Sequence, residues 1–389
     1  MTETTGKTEE QKDNAEAKAK TENGKSGEQS NETDAPAVKE MKAIVVQGFG
    51  GLKSVKVLKK PEPTAAEGEV VIRVKACGLN FPDLMLRQGV IDNPPKTPFI
   101  LGFECAGIIE TVGEGVEGLK AGDRVAALTE SRAYAELVNV SAKYVYKLPD
   151  SMSFKDAVGM TMNYVVAYCL LFDVGNLRNG QTVLVHSAGG GVGQAVAQLC
   201  KTLENITLIG TASKHKHDAL KDVLTHVLDH SNDYVQEIRK LSPEGVDLVL
   251  DCLCGDDANK GYNLLKPLGR YVLYAQICSK WWQVDKISPM KLYEENKSIS
   301  GFNLRHLLYQ QNRHEYIREV VNKVYKLFEE GKVKPVIDSS WAFEDIPEAM
   351  QKLHDRKNIG KIVLDPEQEP KPRPPEEETE KGKKRKSSA

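Results

Sequence analysis

The stretch from Thr182 to Leu199, TVLVHSAGGGVGQAVAQL, holds the residues whose types and spacing imply chemistry most directly. Ala188-x-Gly190-x-x-Gly193 has the spacing of a dinucleotide fingerprint, with alanine supplying the small residue that a tight turn needs. Gly190 would let the backbone approach a pyrophosphate, and Gly193 would let a helix close on its strand. The free N–H groups of the helix start would face the phosphate charge. Ala188, Gly189, Gly190, Gly191, Val192 and Gly193 are the candidate cofactor loop. The context supports it, because Thr182 to Val185 read as a buried strand and Ala195, Val196, Ala197 and Leu199 as the apolar face of a helix. A second match, Gly113-x-Gly115-x-x-Gly118, runs into Leu119-Lys-Ala-Gly122-Asp-Arg-Val125 with no helical period, and reads as a surface turn between strands.

The next strand bears on cofactor choice. An NAD site places an acid about 20 residues beyond the turn to hold the ribose hydroxyls, whereas NADP needs cations and hydroxyls there. This chain reads Gly210-Thr-Ala-Ser213-Lys214-His215-Lys216, with no acid before Asp218, which favours NADPH over NADH. Cys252-x-Cys254 lies at the end of an apolar strand, where two thiols read as core rather than as metal ligands.

The elements that must position these residues fall into two blocks. From Met41 to about Pro149, short β segments alternate with glycine turns: Lys42 to Val46, Leu52 to Leu58, Glu69 to Lys75, Leu101 to Val112, Asp123 to Leu128 and Tyr134 to Val140. These imply a small β-rich, barrel-like module. After Asp150 the pattern turns helical, and beyond the glycine turn apolar strands at Ile206–Ile209, Val246–Leu250 and Tyr271–Tyr274 alternate with helical stretches. That is the pattern of a doubly wound parallel sheet, with ligands at the carboxyl ends of its strands. The long amphipathic stretch Glu315 to Phe328, the segments near Ile337 and Trp341, a helix from Ile346 to His354 and a strand from Lys361 to Leu364 have no place left in that sheet. They are expected to return to the first module, making the nucleotide domain an insertion.

The ends read differently. Residues 1 to 37 contain no Val, Ile, Leu, Phe, Trp or Tyr and are expected to be disordered. Pro366 to Ala389 holds Glu376-Glu377-Glu378 followed by Lys381, Lys383, Lys384, Arg385 and Lys386. It reads as a solvated tail, an anionic-membrane contact or a nuclear-import signal. With 53 Lys and Arg against 55 Asp and Glu, no charge excess suggests a nucleic-acid partner. The start lacks the basic and apolar regions of a signal peptide, and no apolar run looks long enough to span a bilayer, so membrane association is expected to be peripheral. Seven cysteines without framework spacing point to reduced thiols in the cytosol.

Gly102-x-Glu104, Val112-Gly113, Gly122-Asp123-Arg124-Val125 and Ala188-Gly-Gly190-Gly191-Val192-Gly193, following a β-rich module, resemble the medium-chain dehydrogenase/reductase superfamily and its quinone oxidoreductase branch. Ala76-Cys-Gly-Leu-Asn-Phe81, Asp92-Asn-Pro-Pro-Lys-Thr-Pro98, Val185-His-Ser-Ala-Gly-Gly-Gly191 and Trp281-Trp282 look closer still to its vesicle amine transport protein subfamily. The resemblance spans about Met41 to Leu364. It implies an α/β protein in which a GroES-like β-rich module carries an inserted, doubly wound Rossmann domain. The boundaries expected are a polar N-terminus over 1–40, the GroES-like catalytic domain over 41–165, the NADP-binding domain over 166–305, a return to the catalytic domain over 306–365 and a charged tail over 366–389.

The same resemblance implies roles. Asn80 stands at the first zinc cysteine of the zinc-dependent members and Phe103 at the histidine, and neither replaces those ligands, so no metal is expected. In the zinc-free members an asparagine at Asn80 lies near the nicotinamide, on the substrate side. Their phosphate-binding lysine matches Lys214, beside Ser213, and His230 stands where they often carry a tyrosine. Hydroxyl-bearing positions of those enzymes are here Met85, Ile91 and Val166. After Tyr274, Ala275-Gln-Ile-Cys-Ser-Lys280 is shorter than the family's loop, which covers the cofactor beside a homodimer edge. Two readings follow. One is an NADPH-dependent, zinc-independent oxidoreductase passing hydride to a quinone or an α,β-unsaturated carbonyl; the other is a catalytically weak, NADPH-binding peripheral membrane or adaptor protein of vesicles or mitochondria.

Overall fold

The computed structural model describes residues 39–274 and 288–372. The N-terminal polar segment, the basic tail, Trp281-Trp282 and the shortened stretch after Tyr274 lie outside them. The first block forms β1 (Glu40–Val46), β2 (Val55–Pro61), β3 (Glu69–Leu79), α1 (Phe81–Gln88), β4 (Phe99–Ile100), β5 (Glu104–Val112), β6 (Arg124–Leu128), β7 (Leu137–Ser141) and β8 (Val145–Lys147). The strand read from Leu52 starts three residues later. Leu52–Ser54 close a 3-10 turn on Gly51 O, and the register opens at Val46 opposite Val55. Strand β3 is the spine: eight of its eleven positions are buried, and it pairs with β5 along one edge and, over Glu69–Arg73, with β7 along the other.

The second block follows as α2 (Phe154–Tyr168), β9 (Thr182–Val185), α3 (Gly191–Cys200), β10 (Thr207–Ala212), α4 (His217–Leu220), β11 (His226–Asp229), α5 (Tyr234–Leu241), β12 (Val246–Asp251), α6 (Asp256–Leu264), β13 (Leu265–Tyr274), α7 (Pro289–Glu295) and β14 (Ser298–Phe302). Its strands are parallel, in the order β11-β10-β9-β12-β13-β14. Order reverses between β9 and β12, the place where a doubly wound sheet opens a ligand crevice. The near-continuous burial of Val183, Leu184 and Val185 fits a strand covered on both faces.

The last elements are α8 (His314–Glu329), β15 (Ile337–Ala342), α9 (Ile346–His354) and β16 (Lys361–Asp365). Strand β16 pairs antiparallel with β3, placing Ile362 opposite Leu79, and β15 extends that sheet. The chain leaves the first module, builds the parallel sheet and comes back, so the parallel domain is an insertion. Helix α2 runs unbroken across residue 165 and packs on β3, β5, α3 and α8, so it serves both lobes.

One expectation needs correcting. Phe154–Val174, which is α2 and a wide π-type turn at Cys169–Val174, forms a helix of 21 residues apolar enough to span a bilayer by length and composition. Lys155, Asp156 and Asp173 punctuate its ends. Its apolarity has a structural cause, since 67% of the apolar window is buried inside the protein, where α2 packs on β3, β5, α3 and α8.

Candidate active site

The turn after β9 is built as the spacing required, for reasons that differ in detail. Positive φ falls on Ser187, at 56°, and on none of Gly189, Gly190, Gly191 or Gly193. The glycines answer a need for space instead. A Cβ on Gly193 would sit 2.5 Å from Ala188 O, and one on Gly191 would collide with the Asn163 amide. Helix α3 begins at Gly191 with Gly190 as its cap and no side-chain acceptor, so the N–H groups of its first turn point out unclaimed by the helix.

These groups face a cavity of about 220 Å³ at the carboxyl ends of β9, β10 and β12. All of Gly189, Gly190, Gly191, Val192, Gly193, Ser213, His230 and Asn80 line it. Ala188 is fully buried beneath the turn. Lys214 is exposed and does not line the cavity; Lys216, two residues on, does, and is only 6% exposed. Lys216 Nζ donates to Asn358 O at 2.6 Å, and burial lowers its pKa below the ordinary lysine value, against the charge of Asp338 and with a smaller push from Arg356. Arg356 and Lys361 add cations to the lining and Asn358 a neutral amide, and no Asp or Glu lines the cavity among the described residues.

No sequence motif marks Arg356–Lys361 as part of a site, yet the segment ties the site together. Gly360 N donates to Gly189 O at 2.9 Å, Asn358 O receives Lys216, and Lys361 reaches the opposite lobe. There Lys361 Nζ donates to Asn80 Oδ1 at 2.7 Å and to Glu104 Oε1, with both charged side chains almost wholly buried. Asn80 Nδ2 donates to Gly78 O and Glu104 Oε1, and Met162 N donates to Glu104 Oε2. Both ends of the Asn80 amide are committed, so its orientation is fixed. No local motif announces this cluster, because Glu104 and Lys361 are 257 residues apart.

Beneath Asn80 lies Asp83, fully buried, whose Oδ2 accepts from Asn80 N at 2.8 Å. Tyr134 OH stands 2.7 Å from the same oxygen and 2.9 Å from Gly78 O. One phenolic proton cannot serve two acceptors. A proton on Asp83 resolves the conflict: the acid donates to Tyr134, which donates to Gly78 O. Burial accordingly pushes Asp83 up to about 7, against the opposing hydrogen bonds from Tyr134 and Asn80 and the charge of Lys361. Since the folded state then holds a proton that the unfolded chain releases near 4, its stabilisation is complete below that value and is lost as pH rises through about 7. Asp83→Asn should remove the effect. The melting-temperature gap between parent and variant is expected to narrow from pH 5 to about pH 7 and to level off above that; a pH-independent gap would contradict the neutral acid.

A second cavity of about 220 Å³ adjoins the first, sharing Phe81, Pro82, Met162, Val166 and Tyr274 as walls. Met85, Ile91, Phe103 and Leu128 make most of its first-lobe side apolar, with Asp92 and Thr129 also in that lining, and residues of β14 and the turn beyond it close the other.

A GroES-like module joined to a parallel sheet, with a glycine turn at the cleft, defines a medium-chain dehydrogenase/reductase. Residues 66–150 match the alcohol dehydrogenase GroES-like domain and residues 224–364 the zinc-binding dehydrogenase domain. Within that superfamily the chain belongs to the family of synaptic vesicle membrane protein VAT-1 homologs. It is 55% identical over 346 residues to the human VAT-1 homolog-like protein, covering 86% of this chain and 83% of the relative. That protein's crystal structure superposes with a TM-score of 0.79 over 85% of this chain and 99% of the other. A mycobacterial protein solved in complex with NADPH is 27% identical, with a TM-score of 0.76 over 84% of this chain and all of the other. CurK enoyl reductase, also 27% identical, gives 0.74 over 84% and 99%.

The zinc-binding name calls for a test of fit. Asn80 is locked into hydrogen bonds, Phe103 offers no donor, and Glu104 is neutralised by Lys361. Among the described residues no group of three or more His, Cys, Asp and Glu could hold a metal ion. Cys252 and Cys254 are both 3% exposed, and Cys252 Sγ lies against His186 O. The residues present do not fit zinc.

Proposed function

We propose that this chain is an NADPH-dependent, zinc-independent oxidoreductase that transfers hydride to a quinone or an α,β-unsaturated carbonyl. The observation that carries the reading is the first cavity: a helix N-terminus opened by glycines at one end, Ser213, Lys216 and Arg356 around it, and no lining carboxylate among the described residues. Such a surround suits a pyrophosphate and a further phosphate monoester, and it disfavours the bare ribose of NADH.

Bound there, the nicotinamide supplies the hydride. The N–H groups of the first turn of α3 would hold the pyrophosphate, and Ser213 and Lys216 the ribose phosphate. Asn80, immobilised by Lys361 and Glu104, would fix the ring's position, and geometry is where most of the rate of a hydride transfer is gained. The apolar second cavity would keep water from the reacting carbon. Met85, Ile91 and Val166 line it without an exchangeable proton, so these walls position and dry the substrate. Their apolar character also favours the second reading, in which NADPH binds and little is reduced.

Titration separates the two. NADPH at a hundredfold excess over its dissociation constant should stabilise the protein by about 2.7 kcal/mol, with NADH much weaker. A panel of quinones and enones with NADPH should then show at least one compound reduced above the protein-free rate. Binding without any reduction would select the weakly catalytic reading, and no binding of either nucleotide would remove both.

A further inference from the structure

The far end of the second cavity is furnished differently from its walls. Strand β14 ends at Phe302, and the chain turns at Asn303 into a wide π-type turn over His306–Gln310. The carboxyl end of a parallel strand is where ligands of such sheets are met, and π-type turns recur at functional sites. Arg305, His306 and Tyr309 project from this turn as lining of the second cavity, and none of them lines the first.

Two of their donors are buried without a hydrogen-bond partner among the described residues: Arg305 Nε and Tyr309 OH. Arg305 spends its other nitrogens weakly. Nη1 donates to Asp92 O at 3.4 Å and Nη2 to Glu130 Oε1 at 3.3 Å. The Glu130 side chain is 62% exposed against 21% for Arg305, so solvent screens that pair and little holds it together. His306 lies 3.6 Å from Asp92, whose carboxylate is 79% exposed. Of the two carboxylates, Asp92 lines the cavity beside His306, whereas Glu130, the exposed partner of Arg305, does not.

A buried guanidinium edge and a phenol, both lacking acceptors at the end of an apolar chamber, call for an anion on an apolar stem. We infer that the substrate is an amphipathic unsaturated carbonyl compound carrying a carboxylate, with its carbonyl at the wall shared with the cofactor cavity and its carboxylate held by Arg305 and Tyr309. The carbonyl end rests on the reductase reading above; the carboxylate end does not. Arg305 is then a specificity-determining residue, and Glu130 the weak partner that the incoming carboxylate replaces.

Octanoate and octan-1-ol, which share an apolar stem and cannot be reduced by NADPH, test the carboxylate end in the full-length protein without turnover. Calorimetry should find octanoate at least tenfold tighter than the alcohol. Arg305→Met should bring the two to within about twofold, and Tyr309→Phe should erode the preference in part. Equal binding of acid and alcohol by the parent, or a preference that survives Arg305→Met, overturns the inference. If Arg305→Met does not fold, Glu130→Gln carries the test by removing the competing carboxylate: it must tighten octanoate several-fold and leave the alcohol unmoved, and failure to do so overturns the inference equally. A carboxylate preference without reduction of any enone or quinone would strike the reductase reading alone.

Discussion

Lys361→Met should lower the melting temperature by about 10 °C, the largest single-residue loss expected in this chain. The variant leaves Glu104, 1% exposed, as a buried charge with only Asn80 Nδ2 and Met162 N for company. Removing one member of a buried ion pair costs roughly 3–5 kcal/mol, because the survivor has lost water and gained nothing in return. In a domain of this size each kcal/mol moves the midpoint by about 2–4 °C. The pair also ties the starts of β16 and β5 together across β3, within the sheet of the first module. Lys361→Met/Glu104→Gln, which discards the orphaned charge, should recover a good part of the loss. That recovery separates an electrostatic cause from simple cavity formation, for which the two changes would add. A Lys361→Met protein melting within 2 °C of the parent would refute the account.

Legibility in the sequence followed the range of each interaction. The glycine turn was legible because strand, turn and helix lie within one short run, and the steric demands of Gly191 and Gly193 act on neighbours in the same block. The return of the C-terminal segments was legible by elimination, since Lys361 to Leu364 had no strand position left in the parallel sheet. The Lys361–Glu104–Asn80 cluster was not, because nothing local to Lys361 marks it as anything but the start of a strand. Neither was the role of Arg356–Lys361 as the stitch between Gly189, Lys216 and the first module. Arg305 and Tyr309 were hidden for another reason: their i, i+4 spacing puts them on one face of any helical turn, and nothing local says that this face lines a cavity.

The choice between Lys214 and Lys216 shows the same limit at its smallest scale, and it yields a sharp prediction. The sequence supplies two lysines in three residues, and family spacing points to the first. A 3-10 turn at Lys214–Lys216 then sends them to different surroundings: Lys214 to solvent, Lys216 under the loop beside Gly189. Lys216→Ala should weaken NADPH by roughly 10–100-fold, the worth of a charge-assisted contact to a phosphate, and change NADH by no more than about threefold. Part of any general loss will come from Asn358 O, which forfeits its donor, but that component strikes both nucleotides alike and cancels in their ratio. Lys214→Ala should leave the NADPH constant within about twofold, as solvent already screens its charge. Measuring both nucleotides against the two variants at fixed ionic strength decides the matter. If Lys214→Ala collapses the preference and Lys216→Ala does not, the ribose phosphate lies outside the cavity, and the selectivity argument built on its cationic lining fails.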